Sequence, residues 1–284
     1  MRKILITGVA GFIASHVAEY FINKGYHVVG VDDLSTGKTE NIPIGVDFFQ
    51  LDLSDKNQYS KIPKGCMKIL HLAGQSSGEI SYHEPILDLY KNTVTTLNLI
   101  KYGLDNHSER LIYASSMSVY GDINLIDAGV REDDNLCPKS CYGISKLSSE
   151  KYLNVFKDKL PYISMRMFNV YGPGQDMENL RQGMVSIYLS QAINSEKIIV
   201  KGSLDRFRDF IYIDDVVKAW FRAATYDIGL NQAINIGSGI KTTISQLLEK
   251  ITRLTNNTNY QIEGETPCDQ LGIYSNSSKF KDLL

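Results

Sequence analysis

No run of this 284-residue sequence reaches the roughly twenty consecutive apolar residues that a membrane-spanning helix needs, so no such helix is expected. The opening MRKILITG has two positive charges and then a glycine-interrupted segment of strand length. It lacks the long apolar centre and small-residue cleavage site of a signal peptide, and a cytoplasmic protein is expected. Charge of one sign is not in excess. The 30 Lys and Arg face 32 Asp and Glu, a net charge of -2, which argues against nucleic-acid or membrane-surface binding and makes any basic site a local one. Cysteine is sparse: Cys66, Cys137, Cys141 and Cys268 make no disulfide framework, and no histidine flanks Cys137 and Cys141 to complete a metal set. Reduced thiols and no metal are expected. Internal repeats and low-complexity tracts are also missing.

What is present is ordinary globular material, 43% hydrophobic and 22% charged, long enough for one large core or two modest ones. In the first half, short apolar segments alternate with helix-length ones. Strands are predicted over 4–7, 27–31, 47–50, 69–72 and 111–114, and helices over 12–24, 87–103 and 140–156. Ile13, Val17 and Phe21 recur at helical spacing in the first of these helices. Such repetition implies an α/β fold, a doubly wound parallel sheet covered on both faces. The turn Tyr171-Gly172-Pro173-Gly174 marks a junction. Beyond it, helices are predicted over 184–194, 214–226 and 244–255, and strands over 197–200, 209–213 and 232–236. The expected organisation is a nucleotide-binding domain over 1–170 and a smaller mixed α/β substrate-binding part over 171–284, with about 209–236 packing back on the first.

The segment Gly8-Val9-Ala10-Gly11-Phe12-Ile13-Ala14 leaves the first strand and opens the first helix, the context that a dinucleotide fingerprint requires. Gly8 suits the tight turn, and Gly11 lets a pyrophosphate approach the N–H groups of the helix N-terminus. Ala14 stands where a third glycine often serves helix–strand packing. The second strand ends at Asp32, placed to accept hydrogen bonds from both ribose hydroxyls of an adenosine and to repel a 2′-phosphate. The reading is a Rossmann-type domain that binds NAD rather than NADP.

Tyr142 and Lys146 are one helical turn apart on one face. Tyr20 and Lys24 share that spacing and read as a surface pair. Tyr142 differs because the strand over 111–114 runs into Ser115-Ser116-Met117-Ser118-Val119-Tyr120-Gly121, a hydroxyl-rich strand end on the side where a parallel sheet binds ligands. A free phenol has a pKa near 10 and is a weak base at neutral pH. A nearby positive charge favours the phenolate, typically by about 1–3 units, and Lys146 and the nicotinamide of NAD+ could both contribute to lowering the Tyr142 pKa. Ser116 would hold a substrate hydroxyl and steady the developing alkoxide.

Taken together, TGVAGFIASH at 7–16, VDDLSTG at 31–37, LDL at 51–53, HLAG at 71–74, ASSMSVYGD at 114–122, YGISK at 142–146, RMFNVYGPG at 166–174 and RDFIYIDDVVKA at 208–219 resemble the extended short-chain dehydrogenase/reductase family. Within it they are similar to the NAD-dependent sugar-nucleotide epimerase/dehydratase branch, closest to enzymes of the UDP-glucose 4-epimerase kind. The resemblance implies catalytic roles for Ser116, Tyr142 and Lys146. It implies cofactor contacts at Phe12 and Ile13 along the pyrophosphate, at Asp33, Leu34 and Ser35 around the adenosine ribose, and at Asp52 and Leu53 beside the adenine. Leu72, Ala73, Gly74 and Asn92 would run along the cofactor, with Phe168 near the nicotinamide. Asn169 and Arg208 match positions that hold the substrate diphosphate. A guanidinium suits two phosphate oxygens, although an ion pair of Arg208 with Asp205 or Asp209 is the plainer alternative. A homodimer through a helical bundle is implied, with Leu147, Tyr152, Val155 and Phe156 facing either the partner or the core.

Met117-Ser118-Val119 carries neither the acid of the dehydratases and decarboxylases nor the cysteine of the epimerase-reductases. Reversible oxidation at C4 remains, hence a UDP-sugar 4-epimerase with tightly held NAD, or a C4 oxidoreductase that releases its cofactor. A non-catalytic NAD-sensing scaffold is the alternative of a different class. Two departures stand out. Thr266 occupies the place of a diphosphate-gripping arginine before Pro267-Cys268-Asp269, with Arg206 the candidate to compensate. Relatives also usually continue past the position of Leu284, so the sequence is either a short variant or part of a longer chain.

Overall fold

The computed structural model describes residues 2–122, 128–180, 183–195, 197–264 and 271–283. Strand β1 (Lys3–Thr7) buries Ile4, Leu5 and Ile6 completely, the condition of a central strand covered on both faces. The chain continues through α1 (Phe12–Asn23), β2 (His27–Asp32), β3 (Asp47–Gln50) and β4 (Lys68–His71). Two short helices, α2 (Gly78–His83) and α3 (Pro85–Leu89), lead into a π turn over Tyr90–Val94 and then α4 (Thr95–Asp105). Next come β5 (Arg110–Ser116), α5 (Cys141–Val155), β6 (Tyr162–Met167) and β7 (Asn169–Tyr171). The last third holds α6 (Met184–Asn194), β8 (Ile198–Val200), β9 (Phe207–Arg208), β10 (Phe210–Tyr212) and α7 (Ile213–Thr225). It ends with β11 (Gln232–Ile236), β12 (Thr242–Thr243), α8 (Ile244–Thr255), β13 (Tyr260–Ile262) and α9 (Ser278–Leu283).

Seven strands form one parallel sheet in the order β3-β2-β1-β4-β5-β6-β11, so the fold is the doubly wound Rossmann type. The chain reverses direction across the sheet between β1 and β4, which opens a crevice at their carboxyl ends. On one face, α1 and α7 pack Val17, Phe21 and Trp220 against the strands. On the other, Leu99 of α4 and Leu153 of α5 close over Val29, Leu111 and Tyr113. Full burial of a side chain such as Phe21 or Leu99 contributes about 1.5–3 kcal/mol, so each face is strongly anchored. A separate cluster joins Tyr188 of α6, Ile198 of β8 and Leu248 of α8.

Several elements depart from the sequence pattern, among them the following three. Strand β6 was not expected, because Ser164 and Arg166 interrupt its apolar run; both are buried, and Arg166 is bidentate to the buried Glu150. The helix expected over 87–103 is three pieces, since a π turn widens it at Tyr90–Val94. The strand expected over 209–213 is only Phe210–Tyr212, because Ile213 already begins α7. No helix among the described residues is long and apolar enough to cross a membrane.

Candidate active site

The loop after β1 is shaped by contact with the loop after β4. Gly8 has a φ of +73°, and a Cβ there would sit 2.8 Å from the Ala73 nitrogen, so only glycine fits without parting the two loops. Its N–H donates to the Val31 carbonyl at 2.7 Å, and the Gly11 N–H donates to the Gly8 carbonyl at 2.9 Å. Gly11 caps α1 with no side-chain hydrogen bond, which leaves the first-turn N–H groups at Phe12 and Ile13 available to an anion. Ala14 is buried beneath them, as close helix–strand packing requires.

Asp32 closes β2 and is nearly buried. Its Oδ2 accepts from the Ala10 N–H at 3.0 Å and its Oδ1 from the Leu34 N–H at 2.8 Å, so one acceptor position on each oxygen is committed to the loop and the others remain for a ligand. Burial raises its pKa above the usual carboxylate value, and the backbone donors partly offset this. The bond to Leu34 also holds that residue at a φ of +59°, a conformation that costs about 1–3 kcal/mol in a non-glycine residue. Asp33 accepts from the Ser35 N–H at 2.9 Å, and its other oxygen meets the Lys91 ammonium at 2.7 Å. Asp52 meets the same ammonium at 2.8 Å. Burial raises both carboxyls, but the bonds from Lys91, together with those from Ser35 to Asp33 and from Ser54 to Asp52, outweigh it and hold them below the usual range. Lys91 was not singled out in the sequence, yet it ties together the segments implied to surround the adenosine. Leu53 is buried in the core behind them.

At the end of β4, the fully buried His71 locks the neighbouring loop. Thr7 Oγ1 lies 2.9 Å from its Nδ1 and accepts from the Leu72 and Ala73 N–H groups. The threonine hydroxyl must therefore donate to Nδ1, which puts the imidazole proton on Nε2, 3.1 Å from Thr96 Oγ1. Burial, with the Lys146 charge nearby, pulls the His71 pKa down to about 3, so the ring is neutral.

Ser116 lies at the carboxyl end of β5, where its Oγ accepts from the Ser118 N–H at 3.1 Å. Tyr142 and Lys146 lie in the first turns of α5, which Ser140 caps by accepting from the Gly143 N–H at 3.1 Å. A Cβ at Gly143 would come within 2.5 Å of the Ser118 carbonyl, so this glycine is what lets the helix abut the Ser116 turn. The three sequence-predicted catalytic residues thus meet at the crevice. Lys146 is buried and has no hydrogen-bond or ion-pair partner among the described residues; its Nζ lies 5.1 Å from the Tyr113 ring centroid and 5.6 Å from that of Tyr142.

The protein's own groups do not lower the Tyr142 pKa: burial pushes it up to about 12, against the pull of the Ser116 hydroxyl. Lys146 is itself pulled down to about 8 by burial, with the Asp88 charge resisting. Both groups are dehydrated in one pocket, and dehydration penalises phenolate and ammonium alike.

On the substrate side, Asn169 of β7 donates from Nδ2 to the Asp209 carbonyl at 3.1 Å. Asp209 is fully buried, and its carboxylate accepts from the N–H and hydroxyl of both Ser238 and Ser275 and from the Gly239 N–H. Those five donors occupy it, so it is no ion-pair partner for Arg208. Arg208 is buried and donates to the Phe207 carbonyl at 2.7 Å. Arg206 is committed to the 201–203 turn, donating to the carbonyls of Lys201 and Ser203. Thr266 and Cys268 lie outside the described residues. The Phe168 side chain packs with Val119, Tyr120 and Ile273 beneath the pocket. Tyr20 and Lys24 pair with each other on α1, with Tyr20 packed on Phe221. No group of three or more potential metal ligands occurs among the described residues.

The donor set fits a dinucleotide. Uncapped N–H groups face the place of the pyrophosphate, Asp32 keeps acceptor capacity for a diol, and the buried Asn92 Oδ1 has no partner within the protein. Comparison with known proteins agrees. The model of the NAD dependent epimerase/dehydratase family matches residues 4–237. UDP-glucose 4-epimerase of Mycolicibacterium smegmatis is 31% identical over 254 residues, covering 86% of this chain and 80% of that one. UDP-glucose 4-epimerase of Thermotoga maritima, solved with UDP-glucose, superposes with a TM-score of 0.93 at 32% identity, over 99% of this chain and 91% of that one. The Thermus thermophilus UDP-glucose 4-epimerase, solved with NAD, gives 0.89 at 30% identity, over 98% and 91%.

Proposed function

Since this chain belongs to the NAD dependent epimerase/dehydratase family, we propose that it is a UDP-sugar 4-epimerase working through a transient 4-keto sugar. The observation that carries the reading is the meeting of Ser116, Tyr142 and the unpaired Lys146 at one end of the sheet, beside the glycine loop and Asp32. NAD+, when bound, supplies a hydride acceptor that takes the C4 hydrogen and returns it. The protein does the rest. Tyr142 takes the proton of the 4-hydroxyl and gives it back, Ser116 donates to the oxygen on which charge develops, and Lys146 supplies positive charge beside the phenol. Asp32 selects NAD over NADP by charge. Asn169 and Arg208 are the candidates to hold the diphosphate. The uridine is inferred from the relatives, which are named as acting on UDP-glucose.

The reading extends to assembly and place. Ile86, Leu87 and Leu89 of α3, with Tyr152 and Val155 of α5, expose large apolar surface, which a homodimer would cover. Leu147 and Phe156 instead pack inward. Light scattering after size exclusion tests the dimer. The free thiols of Cys66, Cys137 and Cys141 suit the cytoplasm.

The test of the chemistry is label retention. UDP-glucose carrying deuterium at C4 is incubated with the purified protein, and the UDP-galactose formed is examined by mass spectrometry. Full retention of deuterium with no accumulating NADH is expected. Washed-out label, or NADH released in proportion to substrate, would establish the C4 oxidoreductase in its place.

A further inference from the structure

Behind the catalytic residues lies a carboxylate that the chemistry above does not use. Asp88 of α3 is fully buried, where an unpaired carboxylate costs several kcal/mol. Three side chains satisfy it. Ser145 Oγ donates to Oδ2 at 2.6 Å, while Gln75 Nε2 and Asn92 Nδ2 donate to Oδ1 at 2.8 and 2.9 Å. Ser145 precedes Lys146 on α5, Gln75 follows Gly74 after β4, and Asn92 lies in the π turn. One carboxylate therefore joins three segments that line the crevice.

Its effect on Asn92 is directional. The second Nδ2 hydrogen of Asn92 goes to the Gln75 carbonyl at 3.0 Å. Both neighbours on that side are acceptors, so the reversed amide would set oxygen against oxygen, and Oδ1 must point the other way. There it is buried and has no partner. A Cβ on Gly74 would lie 2.4 Å from that oxygen and 3.4 Å from Lys146 Nζ. The lone acceptor therefore packs closely against the bare Cα of Gly74, with the unpaired Lys146 ammonium on the same side. A ligand hydroxyl is the group that can serve both, donating to the amide oxygen and accepting from the ammonium.

We propose that Asp88 is a positioning residue: by orienting the Asn92 amide and anchoring Ser145, it presents an acceptor and the Lys146 cation together to a ribose hydroxyl of the dinucleotide. The inference rests on the reading of this crevice as an NAD site. Asp88 is also the negative charge that sustains Lys146 as a cation; the other groups facing that ammonium are the Tyr113 and Tyr142 rings and the neutral His71.

Two variants separate orientation from charge. In D88A the Asn92 amide loses its anchor. In D88N the remaining oxygen still accepts from Asn92 and Gln75, and the new NH2 group faces Ser145 Oγ, so the orientation survives without the charge. Calorimetric titration of NAD into the full chain is expected to show about tenfold weaker binding for D88A and near-normal binding for D88N. In D88N the alkaline limb of the kcat profile is expected to move down by about one pH unit, because Lys146 loses its proton sooner without the anion. A purely structural role would leave the D88N alkaline limb in place. Wild-type affinity in a folded D88A, or a D88N alkaline limb at the wild-type position, overturns the proposal. Should D88A fail to fold, the D88N profile decides alone. If the wild-type chain itself binds no NAD, the functional reading fails instead, which the same titration shows.

Discussion

Replacing Lys91 by methionine keeps the aliphatic stem and removes the cation that Asp33 and Asp52 share. A charge-assisted hydrogen bond is worth about 1.5–3 kcal/mol when protected from water. Here the side chains are 21%, 22% and 37% exposed, so solvent screening brings each pair toward the exposed value of about 0–1 kcal/mol. The two carboxylate oxygens, both within 2.8 Å of one nitrogen, are also left close together, a repulsion of about 1 kcal/mol in a water-like dielectric. The expected loss at pH 7 and low salt is about 2 kcal/mol, read as a lower urea midpoint at unchanged slope. The pH dependence identifies the cause. Asp33 and Asp52 have folded pKa values below their unfolded ones, so their stabilisation is present above pH of about 3.9 and fades as pH falls through the lowered values. Lys91 has a raised folded pKa, so its contribution holds below pH of about 10.4 and is lost as pH rises through the raised value. The gap between wild type and K91M should therefore be widest near neutrality, narrower by pH 3.5 and smaller in 1 M salt. A gap that ignores both pH and salt would refute the electrostatic account, and K91M as stable as wild type at pH 7 would refute the clasp.

The other expectations concern the crevice. Tyr142→Phe should abolish turnover while NAD affinity by calorimetry stays near wild type, because only the proton carrier is lost; residual turnover above about 1% counts against its role as base. Ser116→Ala should lower kcat about a hundredfold with little change in KM, the pattern of a donor needed mainly in the transition state. Asp32→Ala should weaken NAD by about 1.5–3 kcal/mol and narrow the preference over NADP; an unchanged NAD/NADP ratio in direct binding would remove Asp32 from the ribose site. Gly8→Ala should lose both NAD binding and thermal stability, since the added methyl meets the Ala73 backbone and not a yielding side chain. A folded G8A with normal NAD affinity would contradict the close approach of the two loops.

Much of the site was legible because its chemistry demands particular residue types at fixed local spacing. Gly8 and Gly11 between a strand and a helix, an acid closing the next strand, and Tyr142 with Lys146 one turn apart after a hydroxyl-rich strand end are all short-range patterns. Alternating apolar segments likewise revealed the parallel sheet. Strand β6 stayed hidden because Ser164 and Arg166 look like surface residues until Glu150 is packed against them. Asn92 was implied by the family resemblance, but nothing local says that Asp88, four residues earlier, faces inward beside it.

The sequence by itself therefore determined the fold class and singled out the glycine loop, Asp32 and the Ser116, Tyr142 and Lys146 set as candidates, because each rests on local backbone geometry and residue chemistry. Tertiary structure alone decided which charges meet. Lys91 reaches Asp33 across 58 residues and Asp88 reaches Ser145 across 57, distances in the chain over which spacing carries no information. It also decided the protonation balance of the site. Tyr142 stands near 12 and Lys146 near 8 because packing removes water from both, and exclusion of water belongs to the assembled pocket rather than to any segment of the chain.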